Sequence, residues 1–421
     1  MEITSAVSDR RSFLRRSSGL VVLGALAAGC RSQPGPVGSG EPQLTQWYHD
    51  YGQPGAERAA KRYAAAFGKA RVTVGWKPGN YTATLAAALL GPAPPDIFEG
   101  QVSDDLVRSG QLVPLDDLLG AARPDFAPAD LAANTVNGKV YGIPMVEDMQ
   151  LLYYRKSLLQ RAGLPPPATV EELIGAAKAL TTKKVKGLFV GNDGGVGALG
   201  GPVLWSAGLT YTTPEHRMGF DSPRAVAALE KLRQLYTSNS LLLDSSTDWS
   251  DPSAFVHGLV AMQWTGLSAL PAITRVWGGD VAVAAFPPLD GQGRPSVPIT
   301  TFAAMVDAKS PNLDAAKSFV RWLWVDRTDY QAEFALDYGL HLPARTSVAE
   351  KATALASGPT AEALQLSRHY AMPVTPPDWT PKMSAAYADA LTNVIRGGAR
   401  PAPELDKVKA TVTSELARLF G

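Results

Sequence analysis

Between Leu44 and Phe98 the sequence alternates short strand-like runs with segments of helical period, and this order constrains the fold more than any other feature. Leu44-Thr45-Gln46-Trp47-Tyr48 reads as a strand, residues 56–67 carry apolar side chains at helical spacing, and Arg71-Val72-Thr73-Val74 reads as a second strand. Residues 81–90 follow as a helix. Asp96-Ile97-Phe98 is a short buried strand after a proline-rich turn. A β-α-β-α-β opening is what a doubly wound sheet requires, and such sheets place ligands at the carboxyl ends of their strands. Residues 170–180, 224–236 and 313–325 read as amphipathic helices, and Phe286-Pro287-Pro288-Leu289-Asp290-Gly291 as a loop between lobes or at their seam. With 421 residues the chain is too long for one ordinary core and suits two α/β lobes.

Bulk chemistry removes several classes of partner. A net charge of +1 supplies no global field for nucleic acid, an anionic membrane or an acidic substrate. The single cysteine, Cys30, excludes an intrachain disulfide and a multi-cysteine metal centre. His49, His216, His257, His341 and His369 are scattered, without a pair at i, i+4, so no metal site and no cofactor is expected. Nine tryptophans and thirteen tyrosines are instead a generous supply of flat, amphipathic rings.

The first thirty residues read as an address. Asp9-Arg10-Arg11-Ser12-Phe13-Leu14-Arg15 precedes an apolar run over residues 19–28 and resembles a twin-arginine export signal. That run is too short to cross about 30 Å of hydrocarbon comfortably. It ends Leu26-Ala27-Ala28-Gly29-Cys30, which resembles a lipoprotein cleavage box; Leu26 stands one place further from the cysteine than usual. Residues 1–30 are therefore expected to be the signal, with Cys30 acylated. Residues 31–43, proline-, glycine- and serine-rich over 32–40, would tether the body to the outer face of the cell membrane.

Several segments, in order along the body, carry a family resemblance. They are Gly79-Asn80-Tyr81, Pro95-Asp96-Ile97-Phe98, Asn137-Gly138-Lys139-Val140-Tyr141-Gly142-Ile143-Pro144, Leu152-Tyr153-Tyr154-Arg155-Lys156 and Ala162-Gly163-Leu164-Pro165. Phe255-Val256-His257-Gly258-Leu259-Val260-Ala261-Met262 and Gly339-Leu340-His341-Leu342-Pro343 complete the series. Together they resemble the extracellular solute-binding proteins of ABC importers, in the group of maltose- and glycerol-phosphate-binding proteins. Local chemistry agrees: Gly-Lys-x-Tyr-Gly-x-Pro suits a tight hairpin feeding a strand that crosses to a second lobe. Phe-x-x-Gly-x-x-Ala-Met suits a helix broken at Gly258 before a buried strand.

The resemblance implies a two-lobed α/β periplasmic-binding-protein fold with several hinge crossings and a ligand cleft between the lobes. Lobe 1 is expected over residues 44–146 and 303–345, and lobe 2 over 147–302 and 346–421. It also implies a binder rather than an enzyme, a monomer that captures a carbohydrate, a di- or oligosaccharide by expectation, and hands it to permease subunits.

A sugar offers hydroxyls at its rim and flat C–H faces, so a site for it needs bidentate polar groups and aromatic plates. Carried over by position, the polar candidates are Tyr81, Glu99, Gln101 and Asp148, with Thr300 and Thr301 where relatives bring backbone close to ligand. His341 stands where glycerol-phosphate binders carry tyrosine. The candidate plates are Trp205, Trp249, Trp264 and Trp379, with Gly266 beside Trp264 on the lobe 2 face. A glycerol phosphate or glycerophosphodiester is the alternative ligand, although no cluster of arginine or lysine stands at these positions.

Other motifs are set aside. Gly195-Val196-Gly197-Ala198-Leu199-Gly200 matches a dinucleotide fingerprint but lacks the following strand and acidic residue, and reads as a glycine-rich loop flanking a lobe 2 helix. Neither Gly-x-Ser-x-Gly nor a P-loop is present. A secreted glycosidase using a pair such as Glu99 and Asp148 is the rival of another class.

Overall fold

A computed structural model describes residues 40–421. The twin-arginine segment, the Cys30 box and all but the last few residues of the expected linker lie outside the described residues. The strands are β1 (Gln43–His49), β2 (Arg71–Lys77), β3 (Ile97–Gly100), β4 (Thr135–Val136), β5 (Lys139–Val140) and β6 (Ile143–Arg155), then β7 (Lys186–Phe189), β8 (Val260–Gly266), β9 (Val281–Ala284), β10 (Val297–Val306), β11 (Leu342–Pro343) and β12 (Ala371–Pro373). Ten of them form one mixed sheet. Its main path runs β2-β1-β3-β10-β6-β8-β7, with β11 and β9 also paired to β6 and β12 to β10.

Two long strands make this one sheet serve both halves of the molecule, each with its own hydrophobic packing. The first part of β6 pairs antiparallel with β10, from Ile143 opposite Ala304 to Met149 opposite Ile299. Its second part, from Gln150 onward, pairs instead with β8 and β9. On one side of this crossing, Leu44, Tyr63, Ile97, Phe319 and Trp324 share a core. On the other, Leu188, Leu204, Leu229, Val394 and Val412 share another. Fully burying each such aliphatic or aromatic side chain contributes roughly 1.5–3 kcal/mol, so each half carries its own hydrophobic driving force. The fold is the expected two-lobed α/β arrangement.

The local signals produce the expected turns. Asn137 and Gly138 both have positive φ, 50° and 76°, the backbone of a type I′ turn, and close the β4–β5 hairpin just before β6 begins its crossing. The helix Ser253–Val256 stops at Gly258, whose φ of 70° reverses the chain into β8, a strand buried at every position. The helix expected over 313–325 is regular only over Leu313–Arg321 and widens into a π-turn at Trp322–Asp326. Among the described residues no helix is long and apolar enough to cross a membrane.

Candidate ligand-binding site

A partly open cavity of about 210 Å³ lies against the second core, where β6, β10 and the segment after β12 meet. One wall is the glycine-rich loop set aside as a dinucleotide fingerprint. Asp193 pins this loop by accepting from the amides of Gly195 and Gly197, at 2.9 and 2.7 Å. Gly197, Ala198, Gly200 and Gly201 then face the cavity. At Gly201 a Cβ would come within 2.6 Å of the Trp205 ring, so the indole lies flush against bare backbone. A glycine is needed there.

Aromatic rings pack against this glycine backbone and continue the wall. Trp205 stands on the helix Gly200–Ser206 and Tyr387 on the helix Pro381–Ile395, with Tyr211 and Trp379 on loops. Tyr211 and Trp379 pack with ring centroids 4.7 Å apart, and Tyr211 meets Trp205 and Tyr387 edge-on at 6.2 and 6.0 Å. At these separations the rings touch one another rather than enclosing a guest, so they form one continuous wall. Polar groups at the rim are Gln150, Thr375 and Ser384. No Asp, Glu, Lys, Arg or His lines this cavity.

A second space of about 20 Å³, room for one water-sized group, lies on the lobe 1 side. It is lined by Gln101, Asn134 and Thr301, and it shares Val374 and Thr375 with the larger cavity. The segment after β12 thus separates and connects the two.

Of the residues expected from sequence, Trp205 and Trp379 meet in the large cavity, and Gln101 and Thr301 in the small one. Thr301 is itself buried, its hydroxyl donating to Asp130 at 2.6 Å. Trp264 is placed differently from expectation. It is 1 % exposed, edge-on to Phe286, and its indole N–H donates to Gln150 Oε1 at 2.9 Å. It sits inside the core and holds the Gln150 amide, which lines the cavity. Trp249 also departs from expectation: half-buried against the second core, it lines neither cavity.

Of the remaining candidates, Tyr81, Glu99 and His341 lie on the lobe 1 side, and Asp148, Gly266 and Thr300 stand where β6, β8 and β10 cross. Glu99 is not the solvated group expected of an isolated glutamate. It is 1 % exposed and accepts from Tyr51 Oη at 2.7 Å and from the backbone amide and Nδ1 of His49. Tyr81 donates to the Glu99 carbonyl at 2.9 Å, and burial together with the Glu99 charge pushes its phenol well above the usual range. His341 meets the Gln53 amide at 2.8 Å through Nε2, while its buried Nδ1 has no partner among the described residues. Burial lowers its pKa, opposed by the nearby Asp148 carboxylate. Asp148 is itself pushed up by burial, against backbone amides at Met149, Leu267 and Ser268. Gly266 lies close beside it: a Cβ there would stand 3.2 Å from the Asp148 carboxylate, a tight contact. Thr300 pairs with Asp148 across β10 and β6.

Sequence reasoning missed Tyr211, Tyr387, Gln150, Thr375 and Ser384. Tyr387 falls at core spacing with Met383 and Leu391, so its pattern alone signals only burial. It missed also a buried carboxyl pair at the crossing. Asp130 and Glu147 are 2 % and 6 % exposed and lie close to each other, Asp130 accepting from Thr301 and Glu147 from Ser367. Burial, then the neighbouring Asp130 carboxylate, holds Glu147 well above the usual range. Among the described residues no group of three or more side chains is arranged to hold a metal ion.

Known proteins resemble this chain at both levels. Its sequence matches the family described as bacterial extracellular solute-binding protein over residues 51–324, more than half of the chain. A probable ABC transporter-binding protein of Deinococcus radiodurans is 26% identical over 47% of this chain and 50% of its own length. A multiple sugar-binding protein of Streptococcus mutans is 24% identical over 46% and 49%. The chain thus spans between a third and a half of the length of the curated relatives it matches. Among solved structures, a solute-binding protein of Thermotoga lettingae bound with α-D-tagatose superposes with a TM-score of 0.75 at 22% identity, covering 89% of this chain and all of that one. UgpB of Mycobacterium tuberculosis, in complex with glycerophosphocholine, gives 0.75 at 22% identity over 91% and 100%. The GacH receptor of Streptomyces glaucescens, solved with acarbose, gives 0.74 at 24% over 90% and 99%. These likenesses establish the two-lobed fold with its cleft, and the sequence match establishes descent: the chain belongs to the bacterial extracellular solute-binding protein family.

Proposed function

We propose that this chain is the solute-capturing component of an ABC importer and that its ligand is an uncharged carbohydrate, a di- or oligosaccharide. The observation that carries the reading is the large cavity itself, walled by Trp205, Tyr211, Trp379 and Tyr387 and rimmed by amide and hydroxyl groups without one charged side chain. Aromatic faces match the C–H faces of a sugar ring; Gln150, Thr375 and Ser384 match its hydroxyls. An anion placed there would lose its hydration without gaining a cationic partner, which costs several kcal/mol. A glycosidase needs two carboxyl groups flanking the scissile bond, whereas no carboxylate lines this cavity, which favours capture without reaction.

In this reading the ligand is bound first by lobe 2, and closure adds Gln101 from lobe 1, so that loading shifts the population toward closed. Lobe 1 comprises residues 44–146 and 303–345, lobe 2 the remainder of the body, and the monomer is held outside the cell by acylated Cys30 through residues 31–43. Mass spectrometry of the exported chain checks the anchor: a diacylated N-terminal cysteine is expected, and Cys30→Ser should release the chain to the medium. For the ligand, a melting-temperature screen against maltose, mannobiose, mannotriose, tagatose, acarbose and glycerophosphocholine is decisive. A rise with uncharged sugars and none with glycerophosphocholine is expected. The reverse result would assign the glycerophosphodiester class, and product release on prolonged incubation would assign a glycosidase.

A further inference from the structure

The seam between the halves is bridged at a place that neither cavity reaches. On the lobe 1 side stands the short helix Asp104–Arg108, whose Leu106 and Val107 pack with Leu85, Phe98 and Met305. On the lobe 2 side stand the end of the helix Pro401–Phe420 and the segment 374–379, both built on the second core through Val412, Leu416 and Trp379. Three contacts join them. The Arg418 guanidinium grips both oxygens of Asp105, at 2.9 and 3.3 Å. The Arg108 guanidinium lies 4.7 Å from the centroid of the Phe420 ring. The Asp104 amide donates to the Pro377 carbonyl at 3.0 Å.

Each lobe 2 partner is held in place from behind. Arg418 also bonds Glu415 one turn back, at 2.9 Å. The Phe420 ring is stacked on His216 at 3.6 Å and 11°. Asp378 accepts from Thr212 at 3.0 Å, which anchors the loop bearing Pro377. The groups are thus presented to lobe 1 already ordered, so little side-chain entropy opposes the contact. One interaction works against them: the carboxylates of Asp104 and Asp378 repel across the seam.

The same segment that offers Pro377 to lobe 1 also forms part of both cavities. Val374 and Thr375 line the two spaces, Trp379 walls the larger one, and Val374 is tied to β10 by donation to the Ile299 carbonyl at 2.9 Å. A group filling the cavity against Thr375 and Trp379 therefore bears on the backbone that carries the Pro377 carbonyl.

We propose that the last turn of the C-terminal helix, Arg418 and Phe420 acting with the Pro377 carbonyl, is a clasp on the Asp104–Arg108 helix that sets the fraction of closed molecules and hence affinity, without touching ligand. Such a clasp has a defined signature. Because it contributes only to the closed form, weakening it lowers the apparent affinity for every ligand by one common factor, through the competent fraction.

The test uses the full-length chain with Arg418→Glu, Asp105→Arg and the two combined. Small-angle scattering without added ligand is expected to show a larger radius of gyration for Arg418→Glu, a closed-to-open ratio reduced about threefold to tenfold, and recovery in the double charge swap. This arm needs no ligand, so it stands or falls independently of the carbohydrate reading. For those sugars that raise the melting temperature of the parent chain, Arg418→Glu should weaken each by the same factor, chiefly through faster release. An unchanged radius of gyration in a variant that melts like the parent overturns the proposal. So does a loss that differs from sugar to sugar, which would make Arg418 a ligand contact. If Arg418→Glu fails to fold, Arg418→Gln and Asp105→Asn remove the ion pair without reversing charge and face the same two outcomes.

Discussion

The two flanks of the cleft are built from opposite materials. The lobe 2 flank is a wall of four aromatic rings against bare glycine backbone, uncharged along its whole lining. The lobe 1 flank is a knot of titratable groups, with Glu99 accepting from His49 and Tyr51, and His341 held by Gln53 near Asp148. In the first, the rings pack on one another, and Tyr387 Oη donates to the Gly200 carbonyl at 3.1 Å, which leaves an apolar surface toward the cavity. In the second, most polar atoms already have partners inside the protein, so their desolvation is offset before any ligand arrives. The comparison teaches that density of polar side chains is a poor guide to where a polar ligand is gripped. Uncharged polar rims around an apolar wall are a better one.

That contrast can be broken at either flank. The largest effect is expected at the wall itself. Trp379 is 5 % exposed and joins the second core, so Trp379→Ala should cost about 3–5 kcal/mol of stability in denaturant unfolding and abolish detectable sugar binding. Trp379→Phe should restore most of the stability.

At the crossing between the flanks, burial and the neighbouring Asp130 hold the Glu147 carboxyl well above its ordinary range, which predicts a pH effect. The folded state keeps a proton that the unfolded chain releases near pH 4.5, the ordinary glutamate value. Stability should therefore be greatest below that pH and decline as pH rises toward the elevated folded value, by up to about 1.4 kcal/mol per pH unit. Glu147→Gln keeps a neutral group of the same shape and should flatten that slope. An unchanged slope in Glu147→Gln would show that Glu147 does not hold the proton.

Smaller effects separate contact from support. Trp264→Phe leaves the core filled but removes the bond to Gln150, so affinity should fall about twofold to tenfold with little change in the melting profile. Trp249→Ala should change affinity by less than about twofold, because this ring lines neither cavity; a loss comparable to that at Trp379 would return it to the site.

The fold was legible where sequence dictates backbone. Asn137-Gly138 permits a turn that few other pairs permit, and Gly258 ends a helix, so the hairpin and the strand that follow were readable from a few residues each. The opening β-α-β-α-β order was equally plain. The site was legible only in part, for a physical reason. A ring that walls a cavity and a ring that fills a core obey the same burial pattern, so Trp264 and Trp379 look alike until the strands are placed. Tyr211 and Tyr387 carried no polar signal at all. The carboxyl pair was invisible because Asp130 and Glu147 come from separate elements and meet only when the helix Pro128–Ala133 packs beside β6.

One titration bears on all of this. Calorimetry of the full-length chain with each sugar of the panel, in parallel with glycerophosphocholine and with Trp379→Phe and Tyr387→Phe variants, measures whether the aromatic wall is the seat of binding. Saturable, unreactive binding of at least one uncharged sugar, weakened by Trp379→Phe and absent for glycerophosphocholine, is the expected result. Binding that prefers the phosphodiester, or that ignores both ring substitutions while Glu99→Gln removes it, would move the seat to the titratable flank and contradict the account.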